Sequence, residues 1–271
     1  MIEGLHLFGL GLYSLAALLL VVSLARGDRR LPRFATWVVA LALAVHLGAL
    51  AAYTVRWDQL PLVGLGPVLS TFALLIGLGS LVVALLGPTR PLGLVLVPVV
   101  ALLVGVAAWV GVEPVGEPMA FRGIWFVLHV VFAVVGYAGL TLAFAAGLMY
   151  LLQFRELKSK RFGAIFRFFP PLETLDRLGR RGLLLGFPFL SLALVLGWAW
   201  TVTFQRSLEP RNPQVIWGVI TWVVFAGALL ARLGSGRRAQ RAALASVVGF
   251  LVVVVAYLLL RVQLSRGGVF L

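Results

Sequence analysis

Long apolar runs, broken by short polar or basic stretches, make up nearly the whole chain. Eight of them fall at about 4–25, 34–54, 64–87, 91–111, 124–152, 183–204, 214–232 and 243–264. Roughly 20 mostly apolar residues are needed for a helix to cross about 30 Å of hydrocarbon. The pattern therefore predicts an all-α integral membrane protein, a bundle of about eight transmembrane helices forming a single polytopic domain over 1–271.

Composition sharpens this. Hydrophobic residues make up 62% of the chain and charged residues 12%, against about 25% charged in an ordinary soluble domain. A water-soluble fold is excluded. The first run has Glu3 rather than Lys or Arg at its start, so it reads as a retained span and not a signal peptide. The absence of cysteine removes disulfides, thiol chemistry and Cys-ligated metals.

The net charge of +14 is not a nucleic-acid footprint, because basic and aromatic residues are not interleaved on one surface. Instead the charge alternates between breaks. Seventeen Lys and Arg fall in the breaks after the odd-numbered runs and in the loop 155–181, and six fall on the opposite side. The positive-inside rule then places both termini outside a cell (inner or plasma) membrane and the basic loops in the cytoplasm.

Along the chain, Gly4, Gly9 and Gly11 suggest close helix contact in the first span. His6 reads as an interfacial, solvated residue, whereas His46 lies inside the second span, where an ionisable group faces the bundle interior. The Gly64, Gly66, Pro67 run predicts a backbone break, and Pro98 a kink. Spans three and four carry no titratable side chain and read as scaffold, and the loop 112–123 reads as a solvated connection. His129 falls inside the fifth span with Tyr137 on nearly the same face, and Gly136, Gly139 and Gly147 offer places for close packing. In the loop 155–181, Phe162, Ile165, Phe166 and Phe169 recur among Lys and Arg. That spacing suits a basic amphipathic helix on anionic lipid, with LETLDRLGRR forming a further short helix. Trp198, Trp200, Trp217 and Trp222 flank the last outer loop, the usual place for membrane anchors.

No Ser/His/Asp grouping, intramembrane carboxylate pair or phosphate loop is present, so the chain reads as a binder rather than an enzyme. The three histidines, His6, His46 and His129, all fall in the outer half of the membrane. Imidazole is a common ligand to haem iron.

The segment HVVFAVVGYAGLTLAFAAGLMYLLQ, the following Lys/Arg loop, PPLETLDRL with GFPFLSLALVLGWAW, and RNPQVIWGVITW together resemble the cytochrome c assembly proteins of the CcsA, CcmC and HemX type. The resemblance is best over 124–260. Where haem-exporting members end their tryptophan-rich motif in Trp-Asp-Pro-Lys, this chain has Arg211, Asn212, Pro213 and Gln214. Of the family histidines only the one ahead of the motif is present, as His129, and Leu230 stands at the next position. This places the resemblance nearest the HemX-like branch, associated with control of an early enzyme of haem synthesis.

The resemblance implies haem b, held non-covalently with His129 and His46 as iron ligands and Trp198, Trp217 and Trp222 lining the site. It also implies a cytochrome c assembly or haem-biosynthesis protein as partner. Two alternatives stand beside it: a haem-free adaptor that regulates a cytoplasmic enzyme through 155–181, and a transporter of another apolar molecule.

Overall fold

Backbone N–H and C=O groups find no partners in hydrocarbon, so each apolar run must satisfy its own as a helix. The computed structural model describes residues 1–28, 30–62, 64–85, 89–114, 123–160, 163–204, 213–231 and 238–265. In order these form α1 (Ile2–Arg26), α2 (Leu31–Trp57), α3 (Leu65–Leu85), a 3₁₀ turn at Arg90–Leu92, α4 (Gly93–Val110), α5 (Gly123–Ser159), α6 (Ala164–Phe168), α7 (Leu172–Phe204), α8 (Pro213–Leu230) and α9 (Arg238–Ser265). No strand occurs among the described residues.

The protein is an all-helical, multi-pass membrane protein. Among the described residues, seven helices are long and apolar enough to cross a bilayer. The eighth expected span, α8, has 18 residues and is about 27 Å long at 1.5 Å per residue. Large apolar side chains such as Leu7, Phe8, Leu41, Leu102 and Val195 stand exposed, as they do on a lipid-facing surface.

The chain gathers into two compact units, Met1–Met119 with Leu152–Thr174, and Ala120–Leu151 with Leu175–Leu271. In the first, α1 lies against α2 and α4, and α3 against α2 and α4. Tyr13, Ala16 and Leu20 of α1, Val39, Ala42 and Leu43 of α2, and Val97 and Val100 of α4 are buried. Of the three glycines singled out in α1, only Gly9 is buried; Gly4 and Gly11 face open space. The break before α3 falls at Gly64, with φ of 87°, because Gly66 and Pro67 already belong to the first turn of α3, where the missing N–H of proline costs nothing. A Cβ on Gly66 would overlap the carbonyl of Gly111 at the end of α4. Pro98 lies within α4 without ending it.

The second unit is organised around a seam of glycine. A Cβ on Gly139 would stand 2.6 Å from the Gly182 carbonyl oxygen and 2.7 Å from Gly186 Cα, and one on Gly186 2.8 Å from the Gly136 carbonyl oxygen. Backbone therefore meets backbone between α5 and α7, which only the smallest residue permits. Gly147 approaches Ala243 of α9 in the same way, at 2.9 Å from its carbonyl oxygen. Leu140, Ala143, Leu183, Leu190, Phe225, Ala228 and Val253 form the buried core of this unit.

The basic segment differs from its sequence reading. Helix α5 continues to Ser159, and a single turn of helix, α6, follows. Glu156 Oε2 accepts hydrogen bonds from the backbone N–H groups of Gly163 (3.1 Å) and Phe166 (2.9 Å), folding the segment back on the end of α5. LETLDRLGRR is no separate helix but the first turns of α7, which runs unbroken from Leu172. Pro170 and Pro171 stop the preceding turn, and nothing after them interrupts the next. Phe162, Gly87, Pro88 and the outer loop 205–212 lie outside the described residues.

Candidate functional site

His129 sits in the second turn of α5, half-buried. Its Nδ1 lies 2.7 Å from the carbonyl oxygen of Ala193 on α7. A carbonyl can only accept, so Nδ1 carries the proton and a neutral ring keeps its lone pair on Nε2. A donor hydrogen bond from the second nitrogen to a backbone carbonyl is the arrangement that orients imidazole toward a metal. Gly197, one turn beyond Ala193, makes room for the ring: a Cβ there would stand 2.7 Å from His129 Cε1 and 2.8 Å from Nδ1. Phe132 and Phe189 meet edge to face at 5.4 Å between ring centroids, flooring the same α5–α7 contact.

The tryptophans divide. Trp198, next after Gly197, is 59% exposed. Trp217 stacks on Tyr137 at 4.9 Å between centroids, and its Nε1–H donates to the Val253 carbonyl at 3.3 Å. Tyr137 lies eight residues beyond His129, about 12 Å along the helix axis, so Trp217 belongs to a deeper layer than the imidazole. Trp222 donates from Nε1–H to Ser191 Oγ at 2.9 Å and lies 5.4 Å from the Phe187 ring. The side chain of Trp200 and residues Arg211 and Asn212 lie outside the described residues.

His46 has different company. Its Nε2 lies 2.8 Å from Ser70 Oγ on α3, and its Nδ1 3.4 Å from the hydroxyl of Tyr13 on α1. The same Ser70 Oγ is 2.8 Å from His6 Nε2, and His6 Nδ1 is 3.0 Å from the Ile2 carbonyl oxygen. His6 is therefore not a solvated interfacial residue: it and His46 are each 1% exposed. The two rings meet edge to face, 5.5 Å apart.

The carbonyl of Ile2 sets the direction of the whole chain of bonds. His6 Nδ1–H donates to Ile2, so His6 Nε2 accepts from the Ser70 hydroxyl. Ser70 Oγ in turn accepts from His46 Nε2–H, and His46 Nδ1 accepts from the Tyr13 hydroxyl. Every polar atom in this cluster has a partner, as burial in an apolar medium requires.

Four positions in these two arrangements had no prominence in the sequence. Ser70 and Tyr13 lie in spans that read as scaffold and helix contact, the Ala193 carbonyl carries no residue signature, and Gly197 is one glycine among 30.

The family described as "Cytochrome C assembly protein" matches residues 4–265. The chain is 32% identical over 139 residues to the cytochrome c biogenesis protein CcsA of Chlamydomonas reinhardtii, covering 51% of this chain and 38% of that protein. It is also 32% identical over 160 residues to CcsA of Prochlorococcus marinus (strain MIT 9312), covering 51% of each. A 28.8 kDa protein of Azospirillum brasilense is 34% identical over 135 residues, covering 50% of each chain. The chain thus spans about half or less of the length of these curated relatives. The family match runs through the first four helices as well as the segment 124–260 that carries the motifs. This chain belongs to the cytochrome c assembly protein family.

Proposed function

We propose that this protein holds haem non-covalently in the outer half of its bundle, within cytochrome c assembly or tetrapyrrole metabolism, with His129 as an axial iron ligand. The observation that carries this reading is the Nδ1–H bond from His129 to Ala193, which in the neutral tautomer puts the ring's lone pair on Nε2; among the described residues Nε2 has no hydrogen-bond partner. Haem would supply a coordinating iron and a large apolar face. The chain would supply one ring nitrogen, a ring held by backbone on α7, and the exposed indole of Trp198 next to Gly197, with Trp222 at Ser191 and Phe187 further along α7. Trp217 supports the layer beneath through Tyr137.

His46 was the second ligand candidate. Both its nitrogens are engaged with Ser70 and Tyr13, so the proposal gives the iron to His129 and a structural role in the first unit to His46. The degenerate Arg211–Gln214 motif supports a HemX-like binder or sensor rather than a ligase that attaches haem.

The test is a visible spectrum of haem-reconstituted protein. Wild type is expected to shift the Soret band relative to free haem, His46→Ala to keep the shift, and His129→Ala to lose it. An unchanged shift in His129→Ala sinks the assignment.

One observation favours a second role. Glu156 gives the basic segment a built shape, and α6 lies against α1. This supports docking of a cytoplasmic haem-biosynthesis enzyme on 155–181, alongside attraction of its Lys and Arg to anionic lipid. Glu156→Gln is expected to weaken co-purification of such an enzyme while leaving the haem spectrum unchanged.

A further inference from the structure

The four long helices of the first unit leave a cleft between them at the end where α1 and α3 finish and α2 and α4 begin. It holds about 240 Å³ of empty space, its open mouth included, and all four helices line it. Leu20 of α1, Val39 of α2, Ala84 of α3 and Val97 of α4 are buried there. Three polar side chains interrupt these apolar walls: Thr36 of α2, Ser80 of α3, and Arg90 of the turn that leads into α4.

Ser80 departs from the habit of this chain. A hydroxyl inside a helix can donate to the carbonyl four residues earlier. Thr36, Thr54, Thr141, Ser191, Thr221 and Ser246 all do so, at 2.8–3.1 Å. Ser80 is only 4% exposed, yet among the described residues its hydroxyl has no hydrogen-bond partner. A buried hydroxyl left alone is costly, so its partner has to be something the cleft admits.

Arg90 adds a charge to the same cleft. It is half-buried, and among the described residues its guanidinium has neither a carboxylate nor a hydrogen-bond partner. Asp28, the acidic residue in the break after α1, accepts instead from the backbone N–H of Arg30 at 2.7 Å. We propose that Arg90 and Ser80 form a site for one small monovalent anion, chloride, held between the guanidinium and the hydroxyl.

The donor set selects the ligand. Guanidinium only donates, a serine hydroxyl has one proton to give, and the Thr36 proton is already committed to Pro32. Water would satisfy Ser80 but leave the charge of Arg90 uncompensated beside apolar walls. One cation with no carboxylate calls for a single negative charge. A lipid phosphate carries acyl chains that the four surrounding helices bar from the cleft, whereas a monatomic ion enters freely. Arg26, Arg30 and Arg33 lie at this same end of the unit and raise the local concentration of small anions. Bound there, chloride ties α3 to the turn before α4 and stabilises the fold by mass action.

The test uses full-length protein in detergent, purified in sodium gluconate and melted against rising chloride at constant ionic strength. Gluconate is too bulky to pass between the helices. The wild-type melting midpoint is expected to climb with chloride concentration. Ser80→Ala and Arg90→Gln are each expected to need at least about tenfold more chloride for the same climb, since each removes one donor to the ion. Arg30→Gln, an exposed arginine outside the cleft, should match wild type within about twofold.

Bromide soaked into crystals of wild type supplies the second measurement. An anomalous peak is expected between Ser80 Oγ and the Arg90 guanidinium. If Arg90→Gln does not fold, the Ser80→Ala titration and the wild-type bromide map still decide. No climb in folded wild type, an equal climb in folded Ser80→Ala, or bromide at exposed arginines alone, an adventitious ion only, overturns the site.

Discussion

Two kinds of histidine occupy this protein, and the contrast lies in how many ring nitrogens are engaged. In the first unit His6 and His46 are enclosed, and all four of their nitrogens have oxygen partners. In the second, His129 is half-buried and anchored at one nitrogen, Nδ1. An imidazole with both nitrogens engaged holds helices together; one with a single engaged nitrogen presents the other to a ligand. The two units also achieve close helix contact differently. The first joins α1, α2 and α3 through side-chain polar bonds, and the second joins α5 and α7 through bare backbone.

The contrast can be broken most severely at the glycine seam. Gly182→Val is expected to destabilise the second unit by about 3 kcal/mol, the upper range for overpacking, and to abolish any His129-dependent haem spectrum with it. Thermal unfolding in detergent measures the first effect. Ser70→Ala comes next. It leaves His6 Nε2 without its donor and His46 Nε2–H without its acceptor, an expected loss of about 2 kcal/mol. The Soret band of haem-loaded protein should stay unmoved, and a shifted band would show that the two histidine environments are not independent.

Smaller still is His129→Ala, which removes one half-buried hydrogen bond and is expected to cost about 1 kcal/mol while eliminating the spectrum. Gly197→Ala should leave stability within about 1 kcal/mol through local ring rotation, yet weaken haem binding at least tenfold as measured by titration. The last test moves no energy. Single cysteines at Ser207 and Ser235, in a chain with no native cysteine, should label from outside and not label, respectively, with an impermeant reagent in intact cells. That result would set both termini, and therefore His6 and His129, toward the outer face.

Hydropathy and charge made most of the fold legible. Apolar length predicts helices whatever their partners, because lipid leaves the backbone no other arrangement. Gly136, Gly139 and Gly147 stood out correctly as contact points for the same reason that Gly4 and Gly11 misled. A glycine permits close approach, but the sequence does not say whether a neighbour is there. His129 was visible as an isolated polar residue on an apolar face. Its partner was not, because the Ala193 carbonyl is backbone.

His6 was misjudged because its distance from the end of α1 says nothing of the serine on α3 that receives it. Ser70 lies 64 residues from His6 and 24 from His46, and pairing at that separation is a tertiary fact. The extent of α7 was missed for a local reason: the charged residues of LETLDRLGRR set it apart from the apolar run that follows, whereas one helix carries both from Leu172 to Phe204 and absorbs Pro188.

The seam between α5 and α7 also bears on how the protein is made. Synthesis places Gly136 and Gly139 in the bilayer while residues 182–190 are still on the ribosome. Until α7 arrives, that face of α5 is a shallow trench of naked peptide groups against acyl chains, with no side chain to shield it. Partial chains that stop before Gly182 therefore carry a mark absent from finished ones. Membrane proteases that sample poorly shielded helices gain a point of discrimination there, so a chain truncated after Thr174 should show a shorter pulse-chase lifetime than one that includes α7.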